Sequence, residues 1–280
     1  MEHEPSLEEK ISVASNFILQ SPPGEVNDVF NDVRPIVGDD AELENGLLPA
    51  LSQYNTEQLT LVELPNAKIP AMICEAAKLN EGIENLYMDP NSSQTFIFDH
   101  LRLTVKDVKA YTPKKDTIEE TRFEISNQAE KYVKEHYQGG VWKVSNEVED
   151  EEKKFQLYIV GNKYNPGNYW TGRWRSIYEI DLTSGTVKGQ IQVNVHYYEQ
   201  GNVSLSSSFL TNSCSGSGSV TASQVIKSIS QAETAYQKSV NLAYMELGDD
   251  TFKQLRRALP VTKQKIDWNN IKTKIVFNDK

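Results

Sequence analysis

The sequence predicts an α+β chain in which an N-terminal helical bundle precedes an antiparallel sheet, with a long helix packed on that sheet. Three observations carry this prediction. Residues 7–33 repeat apolar side chains at helical spacing, residues 155–210 alternate with a period of two, and residues 225–247 hold one unbroken apolar stripe.

Ser6-Leu7-Glu8-Glu9 is a capping box, in which serine and glutamate each satisfy the other's backbone donor. Leu7, Ile11, Ala14 and Ile18 then give the first helix one apolar face. It stops at Ser21-Pro22-Pro23-Gly24, where Ser21 is expected to cap a second helix and Pro22 to take its first position. Val26, Val29, Phe30 and Val33 mark that helix, and Pro35 is expected to close it. A third helix is expected over 42–54. Residues 55–92 are mixed, broken by Pro65 and Pro70. Residues 95–98 and 101–105 read as short strands, 121–137 as a helix ended by Gly139-Gly140, and 147–154 as a charged turn.

From residue 155 the period changes. Val187, Ile191, Val193, Val195 and Tyr197 share one face, and Lys188, Gln190, Gln192, Asn194 and His196 share the other, which marks an antiparallel strand. Val203, Leu205 and Phe209 continue the pattern, while Ser204, Ser206 and Ser208 keep the opposite face polar and uncharged, as though it were covered. The Gly/Ser loop at 214–219 lacks the Gly-Lys-Ser/Thr of a phosphate cradle and reads as a connector. After it, Val225, Ile229, Ala232, Tyr236, Val240, Ala243 and Leu247 form a stripe suited to lie against a sheet. Three regions are expected: helices and small strands at 1–110, sheet and long helix at 111–248, and a basic tail at 249–280.

With 280 residues and 38% hydrophobic content, the chain can bury one sizeable core or two modest ones. A mean hydropathy of −0.54 is polar for a globular protein and hints at partner-dependent architecture. No apolar run approaches the ~20 residues of a membrane span. The acidic N-terminus lacks the features of a signal peptide, so a cytoplasmic protein is expected. Cys74 and Cys214 are too few and too distant for a disulfide framework or a cysteine zinc site.

Catalytic signals are lacking. His3, His100, His136 and His196 have no metal-ligand spacing, and there is no GxSxG elbow, dinucleotide fingerprint or P-loop. The chain is therefore not read as an enzyme, and no cofactor or metal is expected. The densest aromatic stretch, 164–176, read as a strand, sets Trp170, Trp174 and Tyr178 on one face and Arg173, Arg175 and Glu179 on the other. Such a surface could stack nucleic-acid bases. Sheet core with cross-strand ion pairs is the favoured reading, because an acidic body repels phosphate.

Charge is unevenly placed. Residues 251–280 carry eight lysines and arginines against Asp267 and Asp279, a surplus of six; since the whole chain is −10, the remainder carries −16. Asp249 and Asp250 suit an N-cap. Phe252, Leu255 and Leu259 then form a helical stripe flanked by Lys253 and Arg257, until Pro260 ends it. Trp268 follows as a large apolar anchor. A solvated basic face is the plain reading of this tail. An adaptor for anionic lipid or nucleic acid is the alternative function.

The stretch Asn168-Tyr169-Trp170-Thr171-Gly172-Arg173-Trp174-Arg175-Ser176 resembles a signature of the alpha subunit of F-actin-capping protein. So do Leu255 through Lys263, Lys265 through Trp268, Phe17 through Glu25, and Val29 through Arg34. The resemblance implies an obligate heterodimer with a homologous beta subunit, which caps the barbed ends of actin filaments and blocks subunit addition and loss. It also implies a sheet shared across that dimer, a long helix on the sheet, and a C-terminal amphipathic tentacle. Three basic residues lead actin binding in such tentacles, and they fall on Lys253, Arg257 and Lys263. Arg256, Leu255, Leu259 and Trp268 complete the expected actin-binding set. Relatives commonly carry arginine where Lys263 stands, and a lysine lacks the planar fork of a guanidinium. Polyphosphoinositides and capping-protein regulators are implied as further partners, nucleic acid is not, and cortical actin is the implied location.

Overall fold

The computed structural model describes residues 5–79, 82–113, 116–146, 154–199, 201–214 and 220–246. The chain divides into two compact units, residues 1–233 and 234–280.

The first unit opens with three helices. α1 (Leu7–Leu19) starts on the predicted box: the Ser6 N–H donates to Glu9 at 2.8 Å, and the Glu9 N–H donates to the Ser6 hydroxyl at 3.3 Å. α2 (Val26–Val37) and α3 (Asp40–Glu57) pack with it around Ala14, Ile18, Phe30, Val33, Leu47 and Tyr54. Several expected boundaries move. The Ser21 hydroxyl donates to the Phe17 carbonyl at 3.1 Å, so it finishes α1 and does not cap α2, whose N-cap is Glu25. Pro35 sits inside α2, where it removes the N–H that would bond the Asn31 carbonyl but does not end the helix. The stop comes instead at Gly38, whose left-handed φ of 80° glycine adopts without strain. α3 begins before residue 42 because Asp39 caps it, accepting from the N–H groups of Ala41 and Glu42 at 2.9 and 3.0 Å.

Two small sheets follow. β1 (Leu61–Val62) pairs with β2 (Ala71–Met72), while β3 (Leu86–Asp89), β4 (Gln94–Asp99) and β5 (Thr104–Ala110) form an antiparallel meander. Asp99 accepts from the N–H groups of Leu101 and Arg102, which makes 100–103 a turn and delays β5 beyond the expected residue 101. Ile73, Tyr87, Phe96 and Phe98 share one core with Val141, Tyr158 and Val160 of the main sheet.

α4 (Thr117–His136) begins earlier than the periodicity suggests, because Asp116 caps it with a 2.8 Å bond from the Glu119 N–H. Next comes a five-stranded antiparallel sheet in the order β10-β9-β8-β7-β6. Its strands are β6 (Val141–Asn146), β7 (Lys154–Asn165), β8 (Trp170–Asp181), β9 (Thr186–Tyr197) and β10 (Val203–Cys214). Tyr178 stands opposite Gly189, and Ile191 opposite Phe209.

α5 (Ala222–Glu246) starts on a second capping box, with the Thr221 N–H donating to Gln224 at 2.9 Å and the Gln224 N–H to Thr221 at 3.4 Å. Val225, Ile226 and Ile229 are buried. In the second unit the helix continues from 234 to 246, where Leu242, Tyr244 and Met245 are exposed. The expected stripe end at Leu247, the turn at 147–153 and most of the Gly/Ser loop (215–219) lie outside the described residues. Among the described residues no helix is long and apolar enough to cross a membrane.

One core histidine makes the fold sensitive to acid. His100 is 3% exposed, with its Nε2 facing the Tyr87 hydroxyl at 3.1 Å and the Ser52 hydroxyl at 3.4 Å. Asn55 donates to the His100 carbonyl at 3.0 Å and approaches Nδ1 at 3.4 Å. Desolvation, reinforced by Lys78 and opposed by Asp99, lowers the pKa of the ring from 6.5 to about 4. Between those values the unfolded chain binds a proton that the folded chain does not. Stability present above pH 6.5 is therefore lost as pH falls towards 4. The thermal midpoint of the wild-type chain should drop across this window more steeply than that of a His100→Gln variant. Parallel slopes would show that this ring is not linked to folding.

Candidate functional site

β8 runs through the centre of the main sheet, and successive side chains serve opposite layers. On one face, Ser176 and Tyr178 meet Glu233 of α5. The Ser176 and Tyr178 hydroxyls donate to Glu233 Oε1 at 2.9 and 2.7 Å. The Tyr132 hydroxyl, from α4, donates to Oε2 at 2.6 Å, and the Tyr137 hydroxyl donates to the same oxygen. Glu233 is 4% exposed. Burial first, and then the nearby Glu233 carboxylate, push all three phenols well above their ordinary pKa, so they remain donors. The Tyr178 ring lies over Gly189, where an added Cβ would come within 2.4 Å of it.

The other face of β8 holds the N-terminal helices. Arg173 donates to Asn162 Oδ1 at 2.8 Å, to the Gln58 carbonyl at 3.0 Å and to the Tyr164 hydroxyl. Arg175 donates to the Glu57 carbonyl and, at 3.2 Å, to Asn194 Oδ1. Both guanidiniums thus close the C-terminus of α3, where carbonyls lack helical partners and the dipole is negative. Burial, with Arg173 alongside, lowers the Arg175 pKa to about 10. Thr171 and His196 both reach Glu25 Oε1, at 2.9 and 2.8 Å, and His196 Nε2 lies 3.1 Å from Asn202 Oδ1. Burial raises the Tyr54 pKa to about 12, and its hydroxyl donates to the Ser21 and Pro22 carbonyls at 3.3 and 3.1 Å.

The expected face assignment for this strand holds, but its chemistry differs. Arg173 stands opposite Asn162 and Asn194, so it has no cross-strand carboxylate to pair with. It turns to amides and helix carbonyls instead. At 7% and 8% exposure, neither arginine presents a surface for stacking bases.

The outer strand β10 pairs with β9 alone among the described residues. Val203 and Leu210 are 63% and 75% exposed, and the serine face expected to be covered, Ser204, Ser206 and Ser208, is exposed as well. Lys253, Leu255, Arg256, Arg257, Leu259, Lys263 and Trp268 all lie outside the described residues. Sequence reasoning did not single out Glu25 or Glu233. Glu233 did carry a signal, because it follows Ile229 by four and precedes Tyr236 by three, inside the apolar stripe of its helix.

Comparison with known proteins bears on this arrangement. The sequence profile of the F-actin capping protein alpha subunit family matches residues 14–279. The F-actin-capping protein subunit alpha of Chaetomium thermophilum is 39% identical over 270 residues, covering 95% of this chain and 94% of the relative. Its counterpart from Caenorhabditis elegans is 36% identical, covering 95% of both chains, and that from Dictyostelium discoideum is 32% identical, covering 98% of both. Among solved structures, the homodimeric actin capping protein alpha subunit from Plasmodium berghei superposes with a TM-score of 0.67. At 21% identity it covers 84% of this chain and 92% of its own, which establishes a shared fold.

Two substitutions probe the carboxylate cluster. Glu233→Ala should cost about 3–5 kcal/mol, since it strands three buried hydroxyl donors and the partly buried Tyr137 hydroxyl. Gly189→Ala should cost about 1–3 kcal/mol by displacing the Tyr178 ring. Both act on Tyr178, so the double variant should lose less than the sum of the two. Urea unfolding of the three variants checks this, and strict additivity would show that Tyr178 does not couple the sites.

Proposed function

The chain belongs to the F-actin capping protein alpha subunit family, and from that premise we propose that it is the alpha subunit of a non-enzymatic dimer that binds actin filament barbed ends and blocks subunit exchange. The observation that carries this reading is the family match across residues 14–279, which spans the basic tail as well as the folded body. The tail, 249–280, acts as the actin-binding tentacle, with Lys253, Arg257 and Lys263 leading and Leu255, Arg256, Leu259 and Trp268 beside them. The surplus of six positive charges over residues 251–280 suits an acidic filament end and speeds encounter. The regions 1–110 and 111–248 form the platform that carries it. Polyphosphoinositides compete for the same basic surface, and the protein works at cortical actin in the cytoplasm.

A homologous beta subunit completes the dimer by extending the main sheet at β10. Three features support this choice of edge. Val203–Cys214 contains no charged residue and no proline, it is 12 residues long, and it exposes Val203 and Leu210. Sheet edges that must stay unpaired usually carry such protection.

Two measurements follow. Reversing Lys253, Arg257 and Lys263 together should weaken capping more than about tenfold in seeded barbed-end elongation, while the dimer stays intact on size exclusion. Unchanged capping would rule out the tail mechanism. Val203→Lys with Leu210→Lys should cut recovery of the co-expressed dimer and leave the far-ultraviolet circular dichroism of the chain unaltered. Full dimer recovery would move the shared edge elsewhere.

A further inference from the structure

A groove of about 910 Å³ runs between α3 and the β4–β5 hairpin. Among the described residues it shares no lining residue with β10. Leu48, 42% exposed, and the partly buried Ile97 and Leu101 give it an apolar wall. Its two ends differ in charge. At the end nearer the start of α3, Arg102 lies 3.7 Å from Glu44 and 3.6 Å from Asp99, and Lys106 lies 3.3 Å from Asp99, so the charges answer one another. At the other end Glu57, Glu75 and Glu84 are exposed, with Lys78 the one cation among the described lining residues there. None of these three carboxylates forms an ion pair among the described residues, although Glu57 accepts a 2.8 Å bond from Gln53. The floor is rigid, because His100 is locked by Ser52, Asn55 and Tyr87.

We propose that this groove docks an extended basic segment of another protein. Along α3, Glu44 to Glu57 spans ~20 Å at about 1.5 Å per residue, which fits about six residues of extended chain. Lysine or arginine side chains of that segment answer Glu57, Glu75 and Glu84, and an apolar side chain covers Leu48, Ile97 and Leu101. The carboxylates supply orientation and encounter rate, and the apolar wall supplies contact area.

The test uses the full chain with its beta subunit and a fluorescein-labelled hexapeptide of alternating arginine and leucine. Fluorescence polarisation should show saturable binding that weakens as salt rises. Glu75→Lys with Glu84→Lys should weaken it by about tenfold or more, whereas Glu8→Lys with Glu135→Lys, an equal charge change at exposed positions away from the groove, should alter it less than about twofold. Circular dichroism establishes that both variants fold. Failure to saturate, equal weakening in the two variants, or equally tight binding of a glutamate–leucine hexapeptide would each overturn the proposal.

Discussion

A buried glutamate under four hydroxyls fixes one whole layer of the large unit. Glu233 accepts from Tyr132 and Tyr137 on the side of α4, and from Ser176 and Tyr178 on β8. A carboxylate on an apolar helix stripe would ordinarily be costly to bury. Here every donor is a hydroxyl, and burial keeps the three phenols protonated, so acceptor and donors require one another. The geometry is also exclusive. A one-residue slip would rotate α5 by about 100° and carry the carboxylate away from all four partners. Gly189 belongs to the same device, since only the absence of a Cβ lets the Tyr178 ring lie flat across β9.

The reverse face of β8 depends on a second buried polar layer. Arg173 and Arg175 deliver guanidiniums to the last carbonyls of α3, and each also reaches a neighbouring strand's asparagine. A guanidinium can do this because its planar fork points donors in several fixed directions; an ammonium of similar reach would satisfy fewer acceptors. Glu25 adds a third tie, from the start of α2 to Thr171 and His196. The Trp/Arg stretch is thus a bolt between layers. One strand with a period of two fastens helices to both sides of the sheet, which accounts for its dense mixture of aromatic, hydroxyl and basic residues.

Much of this was readable in residue order. The Ser6–Glu9 box, the strand at 186–197 and the long helix after 220 follow from local signals, although burial departs from the expected faces where His196 is buried, Tyr197 is exposed and the helix is exposed from 241 to 246. Boundaries failed where a signal had two meanings. Pro35 reads as a terminator, yet the helix runs two residues past it, and the left-handed Gly38 decides the matter. Ser21 reads as a cap for the following helix, but its hydroxyl turns back to Phe17. The partners of Arg173 and Arg175 were hidden for a different reason. Glu57 and Gln58 lie more than a hundred positions away and contribute backbone carbonyls, which no residue pattern marks. Glu233 was half visible, as an acid in an apolar stripe, but the four hydroxyls that make it tolerable come from separate elements.

The outer strands of the two larger sheets are treated differently, and the difference is informative. β5, at the margin of the small meander, carries Lys106, Asp107 and Lys109 and follows a register shift between Thr95 and Ile97. Charges and irregular pairing are what a chain uses to keep a margin solitary. β6, at one side of the main sheet, is only six residues long, and five of them are buried. β10 has none of these safeguards. It is the longest margin, regular in its pairing with β9 along its whole length, and built from small hydroxyl and apolar residues. A chain that blunts β5 with charge and keeps β6 short and buried has the means to protect β10 as well. That β10 stays long, neutral and regular is the feature on which the proposed pairing with a beta subunit at this edge rests.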